Sequence, residues 1–401
     1  MAASFLPSIE RVNVRGARVL ARADLNVPVS DGRITDQTRI ERFASTVRSL
    51  SGRGARVIVM SHFGRPRSRD PRLSLKTVAS ELESALGQSV TFVSDCVGEI
   101  AESGVATLRK GGVALLENLR FHPGEEMNDR NFARALARLA DLYVNDAFSC
   151  SHRAHASTHA IALAMPAYAG PSLIAEVEAL EAALRSPKRP VLAVIGGSKV
   201  ATKLAILENL SGRVNKLAIG GGMANTFLAA RGLEVGKSLV EPDLIETARA
   251  IEDKAMRAGC EIILPVDAIV ADRMEVGARH AYTRIETVPQ DKMILDIGPR
   301  SIANLQDHLQ FCRTLLWNGP LGVFEMEPFD TGTRMVAEAA ATQTEAGKLI
   351  SVAGGGDTLA ALKPIGAANR FTYVSTAGGA FLEWLEGKDL PGIAALSIRA
   401  N

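Results

Sequence analysis

Cysteine is scarce in this chain of 401 residues: Cys96, Cys150, Cys260 and Cys312 stand far apart, and no C-x-x-C pair occurs. That spacing speaks against a zinc knuckle and a disulfide framework, so the four are read as reduced thiols. A long apolar run is missing as well. The longest uncharged stretch, Ala160 to Ala175, is broken by Pro166, Gly170 and Pro171 and falls short of the ~20 residues that a membrane span needs. The opening MAASFLPSIERVNVRG has no long apolar segment, so neither a secretory nor a transit peptide is expected. A soluble, cytoplasmic protein is the expectation.

Excess charge is lacking too. The net charge of +2 argues against a general nucleic-acid binder, whose affinity rests on many phosphate contacts. The distribution is less even: through Gly170 there are 22 Lys+Arg against 17 Asp+Glu, and beyond it 24 against 27. His62, His122, His152, His155 and His159 also lie in that first part. Cationic side chains could converge there on a small anion.

What is present is a repeated grammar. Short β-branched runs alternate with helical periods, which predicts parallel strands joined by crossover helices. Strands are expected near 18–23, 56–60, 113–116, 142–145, 190–195, 216–219, 261–264, 314–317, 348–353 and 372–375. A helix over 243–258 is expected to stop at Gly259, a suitable C′ residue. Ile174, Val177, Leu180 and Leu184 recur at helical spacing, with Glu176, Glu178 and Glu181 turned elsewhere, and the segment ends in SPKRP. The length suggests more than one domain. The fold class expected is α/β: two doubly wound, Rossmann-like parallel-sheet domains over 1–170 and 189–389, joined by a hinge helix and linker over 171–188, with a cleft between them.

Ligands of open parallel sheets gather beyond the carboxyl ends of the strands. In the first half the residues there are polar: RADLNVP, SHFGRP, ENLRFH and NDAFSCSHRAH. Arg22, Asp24 and Asn26 alternate with Ala23 and Leu25, so a strand would present them on one side, along a cleft or on an exposed edge. His62, Arg65 and Arg120 follow apolar runs in the same way, and guanidinium groups match phosphate and carboxylate through paired donors. HRAHASTH spaces His152, His155 and His159 at i, i+3 and i+7. No carboxylate or cysteine sits at ligand spacing, so Arg153 is kept as an anion contact rather than the histidines as a metal site.

In the second half the same places hold glycine: GGSK, GGGMAN, WNGPLGVFE, AGGGDT and STAGGA. VIGGSKVATK sets Lys199 and Lys203 beside what looks like a helix start, where free N–H groups and ammonium groups favour an anion. It is not a Walker A loop, which needs G-x-x-x-x-G-K-[ST]. GGGMAN lacks the third glycine of a dinucleotide fingerprint. Asp357 in AGGGDT is open to two readings, an N-cap or a carboxylate for Mg²⁺. Glu325 is either a ribose contact or a solvated turn residue. A basic half facing a glycine-rich half suggests two substrates, one compact and highly charged and one larger with phosphates and a flat ring.

In order along the chain, RADLNVP, SHFGRP, LLENLRF, NDAF, HRAHAS, GGSKVATK, GGGMANTFL, WNGPLGVFE, GGGDT and STAGGAFLEWLEGK resemble the phosphoglycerate kinase family. The resemblance implies a monomeric, two-lobed enzyme, a phosphotransferase with a carboxyl group as acceptor. It would move a phosphoryl group between 1,3-bisphosphoglycerate and Mg-ADP to give 3-phosphoglycerate and Mg-ATP, in line and within a closed cleft. It further implies phosphoglycerate contacts at Asp24, Asn26, Arg39, His62, Arg65, Arg120 and Arg153. Nucleotide contacts are implied at Lys203, Gly220, Gly221, Gly222, Asn318, Glu325, Gly354, Gly355, Gly356, Asp357 and Thr358, with Asp357 on the metal. Arg39, Lys199, Gly355 and Gly356 would attend the migrating group. The tail 390–401 would pack back on the first domain. No nucleic-acid or membrane partner is implied.

Two departures from the family pattern stand out. STAGGA has Ala377 where a glycine is usual, and FSCSH replaces the commoner FGTAH in the loop before Arg153.

Overall fold

The computed structural model describes residues 6–30 and 32–398. It divides into two compact units, residues 1–178 with 389–401, and residues 179–388. The division falls inside the helix Pro171–Leu184.

In the first unit, six parallel strands pair in the order Val90–Val93, Val113–Leu116, Arg56–Met60, Arg18–Arg22, Leu142–Asn145 and Ala167–Ala169. Arg18–Arg22 is central, with Arg22 opposite Met60 on one side and Asn145 on the other, so the edge-strand reading of RADLNVP falls away. The second unit pairs Glu261–Ile263, Lys216–Ile219, Val191–Ile195, Thr314–Asn318, Ile350–Gly354 and Tyr373–Ser375, all parallel. Numbered within that sheet, the order is 3-2-1-4-5-6, the doubly wound arrangement with its switch point between the first and fourth strands. In the first unit the order reverses between Arg18–Arg22 and Leu142–Asn145.

Burial explains why these runs are strands. RVIVM is buried at Val57, Ile58, Val59 and Met60, and VLAVI throughout, as strands covered on both faces require. The helices answer with apolar stripes. In Thr38–Gly52, Ile40, Phe43, Ala44, Val47 and Leu50 face the core, which leaves Arg39 on the outer side of the first turn. The expected helix near 243–258 is Ile245–Arg257, and Gly259 takes φ +70°, the left-handed conformation that a C′ position favours. In Pro171–Leu184 the buried residues are Leu173, Val177, Leu180, Ala183 and Leu184, and also Glu176, which had been expected outside. Asp146 holds the start of this helix, accepting from Ser172 N at 2.8 Å and Leu173 N at 3.1 Å. This accounts for the acidic residue in NDAF without any ligand.

Some strands were not expected. Val90–Val93 and Ala167–Ala169 are edge strands of only four and three residues, too short to show a period. Asp267–Ala271 pairs antiparallel with His280–Arg284 and with Met293–Ile297, an added three-stranded sheet between Glu261–Ile263 and the helix Pro299–Phe311. The final helix, Pro391–Ser397, docks on the first unit, where Gly392 N donates to Ser151 O at 2.9 Å. Among the described residues no helix is long and apolar enough to cross a membrane.

Candidate active site

In the first unit, the carboxyl ends of the central strands carry a connected polar cluster. Arg39 Nη1 pairs with Asp24 Oδ2 at 2.8 Å and donates to Asn26 O at 2.8 Å. Asn26 Oδ1 accepts from Gly64 N at 2.8 Å, and Gly64 O accepts from Arg120 Nη1 at 2.6 Å. One line of contacts thus joins Asp24, Arg39, Asn26 and Arg120 through the SHFGRP loop. Arg120 is also held by Glu126 at 3.0 Å.

His62 belongs to the same cluster and is buried. Its Nδ1 lies 3.1 Å from Arg22 Nη2 and 4.0 Å from Cys150 Sγ. Burial first, then the guanidinium groups of Arg22, Arg120 and Arg39, holds its imidazole well below the usual value, so the ring is neutral at pH 7. Arg22 itself is fully buried and donates through Nε to Ser157 Oγ at 2.9 Å. Ser157 Oγ in turn donates to the buried Glu125 at 2.6 Å. This Arg22–Ser157–Glu125 network underlies the site; Arg22 was expected along a cleft or an exposed edge and is instead buried, whereas Ser157 and Glu125 were given no role. A glutamate joined to an arginine through a serine 135 residues further along the chain leaves no local signal.

Arg65 and Arg153 are exposed, Arg153 with its Nε 3.1 Å from His152 Nε2. The three histidines of HRAHASTH go separate ways: His152 stands beside Arg153, His155 lies 3.8 Å from Glu125, and His159 lies 3.1 Å from Asn128 Nδ2. Asp24, His62 and Cys150 do cluster, but Arg22, Arg39 and Arg120 surround them and suit an anion better than a cation. The FSCSH departure reaches this place. Ser149 Oγ donates to Asp24 Oδ2, adding a bond to the carboxylate that already holds Arg39.

In the second unit the strand ends are knitted by side chain and backbone. Asn318 Oδ1 accepts from Lys203 Nζ, while Asn318 Nδ2 donates to Gly354 O at 2.6 Å. Thr358 Oγ1 also donates to Gly354 O, at 2.8 Å, and accepts from Gly319 N at 2.7 Å. Burial lowers the Lys203 ammonium, an effect that Asp357 and Glu386 oppose. Lys199 and Lys203 flank a 3-10 turn, Val200–Thr202, and Lys199 is exposed.

The glycines divide into two kinds. A Cβ on Gly196 would stand 1.8 Å from Pro320 O, and one on Gly220 would stand 2.4 Å from a Leu321 methyl. Gly221 and Gly222 press likewise on Gly197 and Ser198. These glycines let loop backbones pack on one another, whereas their expected role was the approach of backbone to a ligand. Gly356 differs, with nothing within 4 Å of an added Cβ. Asp357 lies in the first turn of Gly356–Leu362, whose N-cap is Gly355, so the N-cap reading of Asp357 is corrected and its carboxylate remains exposed. Ala377 takes φ −98°, within reach of any residue, so the glycine usual there is not needed for this backbone.

Beside these loops opens a cavity of 810 Å³, a size suited to a nucleotide. Gly221, Gly222, Glu325 and Asp357 line it, together with apolar Leu228 and Leu239. Lys203, Gly220, Asn318, Gly354, Gly355, Gly356 and Thr358 lie outside the lining; Gly220 packs against Leu321, which belongs to it. Asp296 also lines the cavity, and burial pushes its carboxyl up to about 8 although Gly332 N and Ile297 N donate to it.

A family model described as phosphoglycerate kinase matches residues 9–388. A phosphoglycerate kinase of Methylorubrum extorquens (strain PA1) is 56% identical over 384 residues, 96% of this chain and 96% of that one. One of Rhizobium meliloti (strain 1021) is 56% identical over 388 residues, 96% of this chain and 97% of that one. The solved structure of phosphoglycerate kinase from Coxiella burnetii has a TM-score of 0.92 at 42% identity, covering 99% of this chain and all of that one. That of Pyrococcus horikoshii OT3 reaches 0.83 at 30% identity, with 99% of this chain covered.

Proposed function

The chain belongs to the phosphoglycerate kinase family, and from that premise we propose how its residues divide the work. The reaction is reversible transfer of a phosphoryl group from 1,3-bisphosphoglycerate to ADP, giving 3-phosphoglycerate and ATP. Asp24, Asn26, Arg39, His62, Arg65, Arg120 and Arg153 hold the phosphoglycerate. Lys203, Gly220, Gly221, Gly222, Asn318, Glu325 and Gly354 to Thr358 hold the nucleotide. The observation that best supports this division is the line of contacts from Asp24 through Arg39, Asn26 and Gly64 to Arg120, which sets two guanidinium groups around one strand-end loop.

Both ligands are polyanions, and one pair of like charges 4 Å apart costs about 4 kcal/mol at an effective dielectric near 20. Arg39 and Lys199 offset that repulsion where charge spreads over the transferring oxygens, and the Gly355 and Gly356 amides add donors. The nucleophile is already an anionic oxygen, so no general base is required. His62, held neutral, contributes a hydrogen bond rather than a charge. Asp357 would hold Mg²⁺ with the nucleotide, since it is an exposed carboxylate on the cavity wall and oxygen donors suit that ion. When bound, the ion adds positive charge at the phosphate oxygens. A monomeric, cytoplasmic enzyme is proposed from the family likeness alone.

A coupled assay for ATP-dependent phosphorylation of 3-phosphoglycerate tests the reading. Turnover requiring both substrates and Mg²⁺ is expected; no turnover in either direction would overturn it.

A further inference from the structure

The first unit brings together two groups of side chains able to ligate a metal. Asp24, His62 and Cys150 belong to the cluster described above. Asp95, Cys96 and His122 form the second group, and none of the roles above includes them. Asp95 and Cys96 follow the edge strand Val90–Val93, while His122 closes the turn that follows its neighbour, Val113–Leu116. One carboxylate oxygen of Asp95, Cys96 Sγ and a ring nitrogen of His122 all lie within 4.8 Å of one another, and His122 Nε2 stands 2.7 Å from Asp95 Oδ1. A tetrahedral ion with bonds of ~2.0–2.3 Å sets its ligands roughly 3.3–3.7 Å apart. That separation lies between the shortest and the widest found here.

The charges around the two sulfurs differ. Arg22 and Arg39 act on Cys150 along with Asp24, whereas Cys96 feels the carboxylates of Asp95, Glu125 and Glu117, which add to burial in raising its thiol well above the usual value. Such surroundings resist a bare thiolate and favour a divalent cation, which deprotonates the thiol it binds. Arg69 Nη1 pairs with the other carboxylate oxygen, Asp95 Oδ2, at 3.1 Å. It fixes the carboxylate without taking Oδ1. Cys96 N donates to Asp95 Oδ1 at 2.7 Å, and the His122 ring stacks on Phe132 with centroids 5.2 Å apart. Contacts of this kind orient ligands around a metal. Asp95 and His122 are partly exposed, which gives an ion a way in from solvent, while Cys96 is buried.

Thiolate, imidazole and carboxylate together suit zinc, whereas Mg²⁺ prefers oxygen ligands alone. We propose that Asp95 Oδ1, Cys96 Sγ and His122 Nε2 bind one divalent ion of the zinc class, with water in the fourth position. The thiol proton leaves to solvent, and the neutral imidazole keeps its one proton on Nδ1. A bound ion clasps the exits of the edge strand and its neighbour, so it stabilises the margin of this sheet. The site is separate from Asp357 and from the phosphoryl-transfer reading.

Titration of the chelator-treated protein with Co²⁺, in buffer containing excess Mg²⁺, tests it. One equivalent should produce a thiolate-to-cobalt charge-transfer band in the near ultraviolet, and Zn²⁺ should abolish the band by displacement. Cys96→Ala should remove the band, and His122→Asn should weaken Co²⁺ binding by at least about tenfold. Cys150→Ser should leave the band in place. A second arm needs no variant: X-ray absorption of the wild type with one equivalent of Zn²⁺ should show a single sulfur in a shell otherwise of nitrogen and oxygen. Zn²⁺ should also raise the melting temperature of the wild type and not that of Cys96→Ala. Absence of the band in the wild type, its persistence in Cys96→Ala, its loss in a folded Cys150→Ser protein, or a zinc shell without sulfur overturns the proposal.

Discussion

Asn318 Nδ2 donates to the carbonyl oxygen of Gly354 across 2.6 Å, tying the carboxyl ends of two adjacent strands together. Its Oδ1 simultaneously accepts from Lys203 Nζ. One buried amide therefore connects the lysine after the first strand of this sheet, the end of the fourth, and the glycine loop after the fifth.

Replacing Asn318 by Leu leaves Lys203 and part of Gly354 without partners. A loss of about 1–3 kcal/mol in stability is expected for such groups, with a rise of about tenfold in KM for ATP. Chemical denaturation and initial rates check the two effects.

Lys199 is exposed. Lys199→Ala should leave the melting temperature unchanged and lower kcat by about 10²-fold or more, with little change in nucleotide affinity, as for loss of a group acting chiefly on the transition state. A variant with full turnover would remove its proposed role.

Gly196→Ala and Gly356→Ala should fail in different ways. The first forces a methyl to within 1.8 Å of Pro320 O, and overpacking of this kind costs about 1–3 kcal/mol or more. The second meets nothing and should fold as the wild type does, while raising KM for ATP or lowering kcat. Calorimetry beside kinetics separates them.

The pH dependence of stability follows from the buried histidines. His155 is pushed down to about 4, by burial first and then by Arg22, Arg120 and Arg153, and His62 is lowered by burial first and then by Arg22, Arg120 and Arg39. Between the ordinary value near 6.5 and about 4, the unfolded chain binds protons that the folded one does not. Stability from these groups is thus fully present above pH ~6.5 and is lost as pH falls, by at most about 1.4 kcal/mol per pH unit for each histidine. Glu125, raised by burial, acts in the opposite direction. Denaturation of His155→Gln from pH 7 to 4 should give a shallower acid slope than the wild type.

Ligands assigned to separate units must meet for transfer, with water excluded. The protein carrying both a nucleotide and 3-phosphoglycerate is expected to have a smaller radius of gyration than with either alone. Small-angle scattering that is identical in all four ligation states would count against this.

Much of the candidate site was legible because a parallel α/β sheet repeats a local rule: an apolar run, then the polar or glycine-rich residues beyond the carboxyl end of the strand. SHFGRP, ENLRFH and AGGGDT could be picked out by where they stop, without knowing what they touch. Arg39 could not, since a charge in the first turn of a helix is ordinary, and only the family resemblance singled it out. The glycines were legible as glycines but not in their purpose. Gly196 and Gly356 look alike in sequence, and differ only in whether Pro320 or open space lies above them.

Composition and periodicity by themselves determined the doubly wound class and the basic and glycine-rich halves, since burial on both faces of a strand and on one face of a helix imposes patterns readable over a few residues. Tertiary structure alone decided that Arg22 is buried beneath His62, that Glu176 turns inward, that Asp357 caps no helix, and that Asn318 gathers three strand ends. Those outcomes depend on strand order, which places Val191–Ile195 beside Thr314–Asn318 across more than a hundred residues. Pairing at that range is chosen by the cooperative packing of the whole sheet, and no local stretch carries it.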